Sequence, residues 1–343
     1  MFIKGIRVVV ICFFAGIVNG QTLDGNSIYN FLGITMHAQT AALGGRNVSQ
    51  IGGGAGGFIE NPALLRATDH QTFFSNFTFL APSVTGLHAS GVWHADKIAA
   101  TFGVSMTHFG YSEEPLTDPA GNVSGTFRAF DQMISVSASG KYEKFWFYGA
   151  SLKFIHAAYG PWKSSGVALD FGLNYFREES GFQWGIAAKN MGVQLKTFNG
   201  EQEDLPFDLV MGITQKMAKA PFSISLTAQR LHDFDILYTD TLFNNENFGV
   251  SGKPGWGKQV LSHLIIGTNI YLGEKVILSG GFNLLRRNEL AIRNISSGLT
   301  GFSYGIAMKH KKLSFQYSRS HNQRSITQQQ LSFAIGLSST TQK

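Results

Sequence analysis

Two glycine-rich stretches of the 343-residue sequence match motifs that place a reactive group at a tight turn. Residues 301–305 fit G-x-S-x-G, in which a serine nucleophile at a strand-to-helix turn needs an acid and a histidine later in the chain. Neither Asp nor Glu follows Ser303, and the surrounding alternation places Ser303 within a strand. Residues 52–57 fit G-x-G-x-x-G but lack the βαβ unit and the long helix of a dinucleotide site. The sequence therefore predicts no enzymatic activity and no cofactor.

Other catalytic and metal motifs are missing from the sequence. No Ser precedes a Lys by three residues, and H-E-x-x-H does not occur. The ten histidines are scattered, and His88 and His94, on one face of a predicted strand, lie too far apart to share a metal. We therefore predict no metal site.

Four charged residues occupy equivalent places on four successive predicted strands. Lys153, Asp170, Lys189 and Asp208 alternate in sign and lie on the face that otherwise carries Gly, Ala and Ser. Charges on that face are expected to pair across neighbouring strands and to fill an interior, because a charge facing lipid near the bilayer midplane costs a few kcal/mol. A role in selectivity or ligand binding is the alternative.

The elements that position these charges are β-strands, because polar and apolar residues alternate with a period of two from about residue 71 onward. In 145–155, for example, Trp146, Tyr148, Leu152 and Phe154 share one face. We count about fourteen such segments, near 71–80, 85–95, 98–111, 126–139, 145–157, 165–177, 181–191, 205–216, 221–232, 260–272, 275–286, 299–309, 312–319 and 327–338.

The connections between these segments alternate in length. Every second connection is short and charged, whereas the others are mostly longer, at 112–125, 158–164, 192–204, 233–259, 287–298 and 320–326, with 81–84 as a short exception. Outer-membrane barrels have short periplasmic turns and long extracellular loops, which a soluble sandwich does not require. The sequence predicts an all-β fold, a transmembrane antiparallel β-barrel of about fourteen strands over residues 71–338.

The composition agrees with this fold class and excludes others. Charged residues make up 15% of the chain, where about 25% is usual in soluble domains. This low charge and the 13% of aromatic residues argue against disorder, and a single Cys excludes a disulfide scaffold. The net charge of +6 is small and dispersed, so a nucleic-acid partner is not expected.

The two ends of the chain do not follow the strand pattern. Residues 1–20 read as a cleavable signal peptide with a cleavage site near Gly20 and Gln21. Residues 21–70 are predicted to form a plug or hatch, with a short helix at 38–43 and a flexible glycine run at 52–57. Asn61 is placed as the N-cap and Pro62 at the first position of a one-turn helix. Residues 339–343 form a polar tail.

The longest predicted loop, 233–259, is rich in aromatic residues. Exposed aromatic side chains on a loop are typical of a partner-docking surface, although they can also fold inward as a lid. The candidates are Phe234, Tyr238, Phe243, Phe248 and Trp256.

Several blocks resemble a known family. YNFL at 29–32, AALGG at 41–45 and ENPALL at 60–65 resemble the start of PorV/FadL-like outer-membrane barrels of Bacteroidetes. AKNMG at 188–192, QLKTF at 194–198 and LPF at 205–207 are similar to its PorQ branch, a component of the type IX secretion system. The Asn-Pro-Ala-Leu element by itself specifies only the superfamily, and the middle blocks point to the branch.

The resemblance implies a fourteen-stranded barrel in the bacterial outer membrane and a non-enzymatic role. It implies a scaffold of the type IX attachment complex, in contact with membrane lipid and with PorZ-, PorU- and PorV-like proteins. That complex processes secreted cargo and attaches it to anionic lipopolysaccharide, and the barrel would anchor a PorZ-like partner. A FadL-like channel for hydrophobic small molecules, gated by the N-terminal hatch, is the alternative.

Overall fold

The computed structural model describes residues 27–81, 83–118, 120–237, 255–290, 298–322 and 327–337. The predicted signal peptide and polar tail lie outside the described residues, as do three of the five loop aromatics, Tyr238, Phe243 and Phe248.

Fourteen antiparallel strands in the described residues form a closed barrel, in which each strand pairs with the next and β1 pairs with β14. The prediction of a fourteen-stranded barrel is confirmed. The strands are β1 Thr72–Ala81, β2 Val84–Ala95, β3 Ala100–Thr117, β4 Val123–Tyr142, β5 Trp146–Tyr159, β6 Trp162–Arg177, β7 Phe182–Lys196, β8 Asp208–Lys216, β9 Phe222–Ala228, β10 Leu264–Leu272, β11 Val276–Asn283, β12 Phe302–His310, β13 Leu313–His321 and β14 Thr327–Gly336.

Apolar side chains of the barrel wall point outward and polar side chains point inward, which is the reverse of the arrangement in a soluble protein. On β5, Phe154 points outward and is 52% exposed, whereas its neighbour Lys153 points inward and is 4% exposed. Similarly, Ser135 and Ser137 of β4 are buried, while Ile134 and Val136 are exposed. A barrel with an apolar outer surface and a polar interior is the arrangement that matches a surrounding bilayer.

Two predicted loops are wrong. Residues 112–125 are mostly strand, because β3 and β4 continue as a hairpin beyond the ends of their other neighbours. Residues 158–164 contain only a two-residue turn, which Gly160 permits with a φ of 61°. The exposed side chains of these stretches made them look like loops, but paired strands satisfy their own backbone hydrogen bonds and need no burial. Loop length therefore alternates less strictly than predicted.

Helices are few in the described residues. Helix α1 is Ala38–Ala42, α2 is Trp256–Ser262 and α3 is Leu284–Leu290. Short 3-10 helices comprise Asn30–Gly33, Gly54–Ile59, Pro62–Leu64, Ala67–Asp69, Asp96–Ile98 and Glu178–Ser180. Where the structure describes the chain, none of its helices has the length and apolar character needed to cross a bilayer.

Residues 28–70, which we call the N-terminal segment, lie inside the barrel. Helix α1 contacts β11 to β14, the 3-10 helix Gly54–Ile59 contacts β1 and β2, and Pro62–Leu64 contacts β4 to β6. A single segment can contact strands on opposite sides of a closed barrel only from within it. The segment therefore occupies the lumen.

The second half of the glycine run of this segment is packed, whereas a flexible loop was predicted over all of 52–57. Residues Ala55 to Phe58 are buried within the 3-10 helix Gly54–Ile59. A Cβ atom on Gly56 would lie 2.5 Å from the ring of Phe74 and 2.9 Å from the ring of His37. Glycine is required here for close packing against the wall.

Candidate functional site

The N-terminal segment runs the length of the lumen. We call the end of the barrel with the longer connections the outer end, and the end where β1 begins the inner end. At the outer end, the backbone N–H of Ile28 donates to the carbonyl oxygen of Asp204, in the connection between β7 and β8. At the inner end, the Arg66 guanidinium donates to the side chain of Asn174 (2.6 Å) and stacks on Phe147. The described part of the segment thus extends through the lumen from one end to the other.

Glycines on the inner wall let the backbone of the segment approach closely. Gly149 of β5, Gly172 of β6 and Gly185 of β7 lie on neighbouring strands at the inner end. A Cβ on Gly149 would lie 2.5 Å from the carbonyl carbon of Pro62, and one on Gly185 would overlap the backbone of Val48. We call these three residues the glycine floor. Gly281 of β11 makes a similar contact with the backbone of Leu43 and Gly44 on the opposite wall.

Asn61 connects the segment to this floor. Its side-chain oxygen accepts a hydrogen bond from the backbone N–H of Ala63 (2.9 Å) and so caps the 3-10 helix that begins at Pro62. Its amide nitrogen donates to the carbonyl oxygens of Val48 (2.8 Å) and of Leu173 in β6 (3.3 Å). One buried amide thus holds two parts of the segment against the wall.

The four charges predicted to face the interior do so, but only two of them pair with each other. Lys153 and Asp170 form an ion pair across β5 and β6 with an N–O distance of 2.6 Å. Lys189 and Asp208 are opposite each other in the β7–β8 ladder, yet each binds the N-terminal segment instead. Lys189 donates to Glu60 (3.0 Å), and Asp208 lies 3.6 Å from Arg46.

Glu60 and Arg46 are residues of this charged cluster that the sequence did not reveal. Glu60 is almost fully buried and accepts from Lys189, and it also lies 3.6 Å from Arg46. Burial by itself would raise the pKa of Glu60, but the neighbouring Lys189 and Arg46 lower it from 4.5 to about 2. The carboxylate therefore stays charged and bridges the segment to β7. Between residues 27 and 65, Arg46 and Glu60 are the only charged residues, which is the signal that could have identified them.

A β-bulge in β7 brings these groups together. Lys189 and Asn190 both face inward opposite Asp170, and Asn190 adopts a left-handed backbone with a φ of 59°. The backbone N–H of Asn190 donates to the carboxylate of Asp170 (2.7 Å). The side-chain oxygen of Asn190 accepts a hydrogen bond from Lys153 (2.8 Å). Beyond this bulge, the rest of β7 has no ladder to β8, and Asn190 instead donates to the carbonyl oxygen of Pro206 (2.9 Å). The β7–β8 ladder therefore ends at the bulge, and residues of the following connection contact the outer part of β7, as in the hydrogen bond from Glu203 to Gln194 (3.0 Å).

The outer part of the lumen is an apolar chamber. Its wall includes the inward-facing residues Phe109, Met133 and Ile155, on β3, β4 and β5. The N-terminal segment fills it, and Phe31 packs edge-on against Phe109 at a centroid distance of 5.8 Å. Further buried residues of the segment in this cluster are Ile28, Tyr29, Leu32 and Met36. A few polar groups border the chamber, where Asp131 accepts hydrogen bonds from Tyr111 (2.6 Å) and Tyr159 (2.8 Å).

The two described members of the aromatic loop set lie at the outer end. Trp256 begins α2 and is 76% exposed, and Phe234 is also exposed beside the ring of His263. They are not part of the lumen cluster formed by Lys153, Lys189 and their partners.

Comparisons with known proteins identify the fold. No protein-family model and no curated protein matches this chain. The solved structure of the CymD monoaromatic hydrocarbon channel is similar, with a TM-score of 0.55 and 14% sequence identity, over 90% of this chain and 99% of CymD. A deletion mutant of the TodX monoaromatic hydrocarbon channel gives a TM-score of 0.53 and 12% identity, over 87% of this chain and 97% of the mutant. The chain shares its barrel fold with these FadL-like channel structures.

Proposed function

We propose that this chain is an outer-membrane channel for small hydrophobic molecules, closed by its own N-terminal segment. The observation that carries the proposal is the apolar chamber at the outer end of the lumen. Small-molecule sites are mainly apolar with a few polar groups, and the chamber has Phe109, Met133 and Ile155 beside the Tyr111–Asp131–Tyr159 cluster. The similar CymD and TodX structures are named as monoaromatic hydrocarbon channels.

The same proposal assigns a role to the end of the β7–β8 ladder. An apolar molecule that displaces Phe31 and its neighbours from the chamber comes close to the β7 bulge at Asn190, where the ladder to β8 ends. Exit through the wall beside the outer part of β7 would deliver it into the bilayer without passage along the rest of the lumen. The channel alternative drawn from the sequence is thus preferred to the scaffold interpretation.

Uptake of an aromatic hydrocarbon such as naphthalene by bacterial cells that carry the barrel in their outer membrane tests the channel. Deletion of residues 28–36 should raise uptake severalfold over the full-length chain, because it empties the chamber. Met133→Gln in the deletion variant should remove this gain, since Gln has a similar volume but makes the chamber wall polar. Uptake equal to that of cells without the barrel in every variant would contradict the proposal. Folding of each variant is checked by gel electrophoresis, in which a folded barrel should migrate more slowly after heating than before it.

A scaffold in the type IX attachment complex is a second candidate. Two observations favour it: the lumen is filled, and Trp256 and Phe234 are exposed at the outer end. In that role the barrel would hold a PorZ-like protein and contact PorU- and PorV-like proteins, and it would need no catalytic residue. Trp256→Ala should then release the partner from the detergent-solubilised complex while the barrel remains folded. Purification with bound hydrocarbon and no protein partner would favour the channel.

A further inference from the structure

Basic residues are concentrated on one side of the inner end of the barrel. The three inner turns from β2 to β7 carry as many acidic as basic residues, over 95–99, 141–145 and 177–181. The three inner turns from β8 to β13 carry six lysines and one glutamate. We call these six lysines the basic arc, which comprises Lys216, Lys219, Lys275, Lys309, Lys311 and Lys312.

The lysines of the basic arc are not neutralised by neighbouring carboxylates. On the other side of the inner end, Lys144 and Arg177 both pair with Glu179 at 3.2 Å. Among the described residues, no carboxylate lies within salt-bridge distance of a lysine of the arc. Asp69 acts electrostatically on Lys309, which leaves the other five lysines against Glu274 alone. The arc therefore carries a net positive charge that an anion can neutralise.

An apolar groove on the outer wall meets this arc. It has a volume of about 750 Å³ and lies on the outward face of β11 to β14 and β1. Two cross-strand rows form its floor, Leu313–Ile335–Phe73 near the inner end and Phe315–Phe333–Ser75 beside it. Ser75 lies between the outward-facing rings of Phe73 and Phe77, so its small side chain leaves a depression in the wall.

The backbone holds the basic turns at the inner mouth of the groove. The N–H of Lys309 donates to the carbonyl oxygen of Lys275 (2.7 Å), which joins the β10–β11 and β12–β13 turns. The N–H of Gly336, next to Ile335 in the groove, donates to the carbonyl oxygen of Lys312 (3.0 Å). Cationic side chains thus border the inner mouth of an apolar surface depression.

This combination has the shape and charge of a phospholipid site. The short turns of an outer-membrane barrel face the periplasm, so the inner mouth of the groove lies at the headgroup level of the periplasmic leaflet. Basic pockets at the membrane surface recognise anionic headgroups, and the volume of the groove is within the range of small-molecule sites, about 300–1,000 Å³.

We propose that the groove and the basic arc bind one anionic phospholipid of the periplasmic leaflet. Its acyl chains lie along the two apolar rows, and its phosphate lies against Lys275, Lys311 and Lys312. A second copy of this chain fits the face less well, because a two-fold contact places one basic arc against the other. The site is on the outside of the barrel, so the inference does not depend on hydrocarbon transport through the lumen.

Native mass spectrometry of the full barrel in a neutral detergent tests the site. The barrel is titrated with phosphatidylglycerol, or with phosphatidylcholine that has the same acyl chains, and the bound lipids are counted. The triple variant Lys275→Gln, Lys311→Gln, Lys312→Gln removes three charges from the arc. The matched control removes three charges from the opposite side of the inner end, by Lys97→Gln, Lys141→Gln, Lys144→Gln.

We expect the wild-type barrel to bind one phosphatidylglycerol about tenfold more tightly than phosphatidylcholine. The arc variant should lose this preference, and the control variant should keep it. Equal preference in the two triple variants would overturn the proposal, since the charge of the barrel as a whole would then explain the binding. A dimer that forms without bound lipid would also overturn it. Folding of every variant is checked by gel mobility before and after heating.

Two further measurements test the apolar part of the site. Ser75→Phe fills the depression from the outward face, so it should weaken the first binding of both lipids severalfold. Glycerol 3-phosphate carries the phosphate without acyl chains, and an excess of it should leave the lipid bound. Unchanged lipid affinity in Ser75→Phe, or displacement of the lipid by glycerol 3-phosphate, would show that the groove does not hold the acyl chains and would overturn the proposal.

Discussion

Replacement of Glu60 by Gln should release the N-terminal segment from β7. The substitution keeps the size of the side chain but removes the only carboxylate within salt-bridge distance of Lys189 in the described residues. A buried charge that loses its partner costs about 3–5 kcal/mol. At about 1.4 kcal/mol per factor of ten, the ratio of seated to released segment should fall by between about 100-fold and about 5,000-fold. Arg46 keeps Asp208 as a partner, which limits the loss to the Lys189 side.

Hydrogen exchange of the detergent-solubilised barrel measures this effect. Peptides from residues 28–70 should exchange faster in Glu60→Gln by the factor given above, while peptides from the strands keep their protection. The matched control is Glu179→Gln, because Glu179 pairs with Lys144 and Arg177 on the exposed inner rim. Solvent screens such exposed pairs, so their loss should have little effect and the segment should exchange at the wild-type rate.

Unchanged exchange of residues 28–70 in Glu60→Gln would refute the reasoning, provided that the barrel shows its usual heat-dependent gel mobility. The double variant Glu60→Gln, Lys189→Met provides a second check. It removes the unpaired cation as well, so it should recover part of the lost protection. A double variant that exchanges as fast as the single one would show that the charge of Lys189 is not the cause.

Three further outcomes follow from the same contacts. Lowering the pH should release the segment in two steps. Burial lowers the pKa of His37 from 6.5 to about 4, so the stability that neutral His37 gives to the seated segment is complete above pH 6.5 and is lost as the pH falls toward 4. The lowered pKa of Glu60 gives a second loss of stability between about pH 4.5 and 2. Hydrogen-exchange rates of residues 28–70, corrected for their intrinsic pH dependence, measure both losses. Gly172→Ala should destabilise the seated segment by about 1–3 kcal/mol, because the new methyl group would overlap the side-chain amide of Asn61. Hydrogen exchange of residues 28–70 should become faster by the corresponding factor. Gly91→Ala is the control, since a methyl group there would have nothing within 4 Å and should leave the exchange unchanged. Lys153→Met should lower the free energy of unfolding of the barrel by about 3–5 kcal/mol, because it leaves the buried carboxylate of Asp170 without its ion pair. The denaturant midpoint measures this loss. Asp170→Asn in the Lys153→Met background should restore part of it.

The barrel itself could be predicted from the sequence because strand alternation is a local property. Lys153 and Phe154 fall on opposite faces whatever their neighbours are, so the inward and outward sets were predictable from the period of two. The ends of β3 and β4 were not, since the exposed hairpin has no apolar face to distinguish it from a loop. Alternation reports burial, and it gives no signal where neither face is buried.

The interior was predictable only in part. The charges of Lys189 and Asp208 could be assigned to the lumen, but their partners could not, because Arg46 and Glu60 come from a segment without periodicity more than 120 residues earlier in the chain. The bulge at Asn190 was also missed, since its left-handed backbone leaves no mark in the hydrophobic pattern. Contacts fixed by tertiary packing require the three-dimensional arrangement.

The close contacts on the glycine floor constrain how the protein is made. The N-terminal segment is synthesised before β1, begins at the outer end and leaves at the inner end, while β14, the strand that closes the ring, comes last. If the ring closed first, the segment would have to be drawn through the length of the barrel and past the close contacts at the glycine floor. We therefore expect biogenesis to place the segment first and to join β1 to β14 around it, so that the occupant of the lumen acts as the template on which the cylinder is assembled.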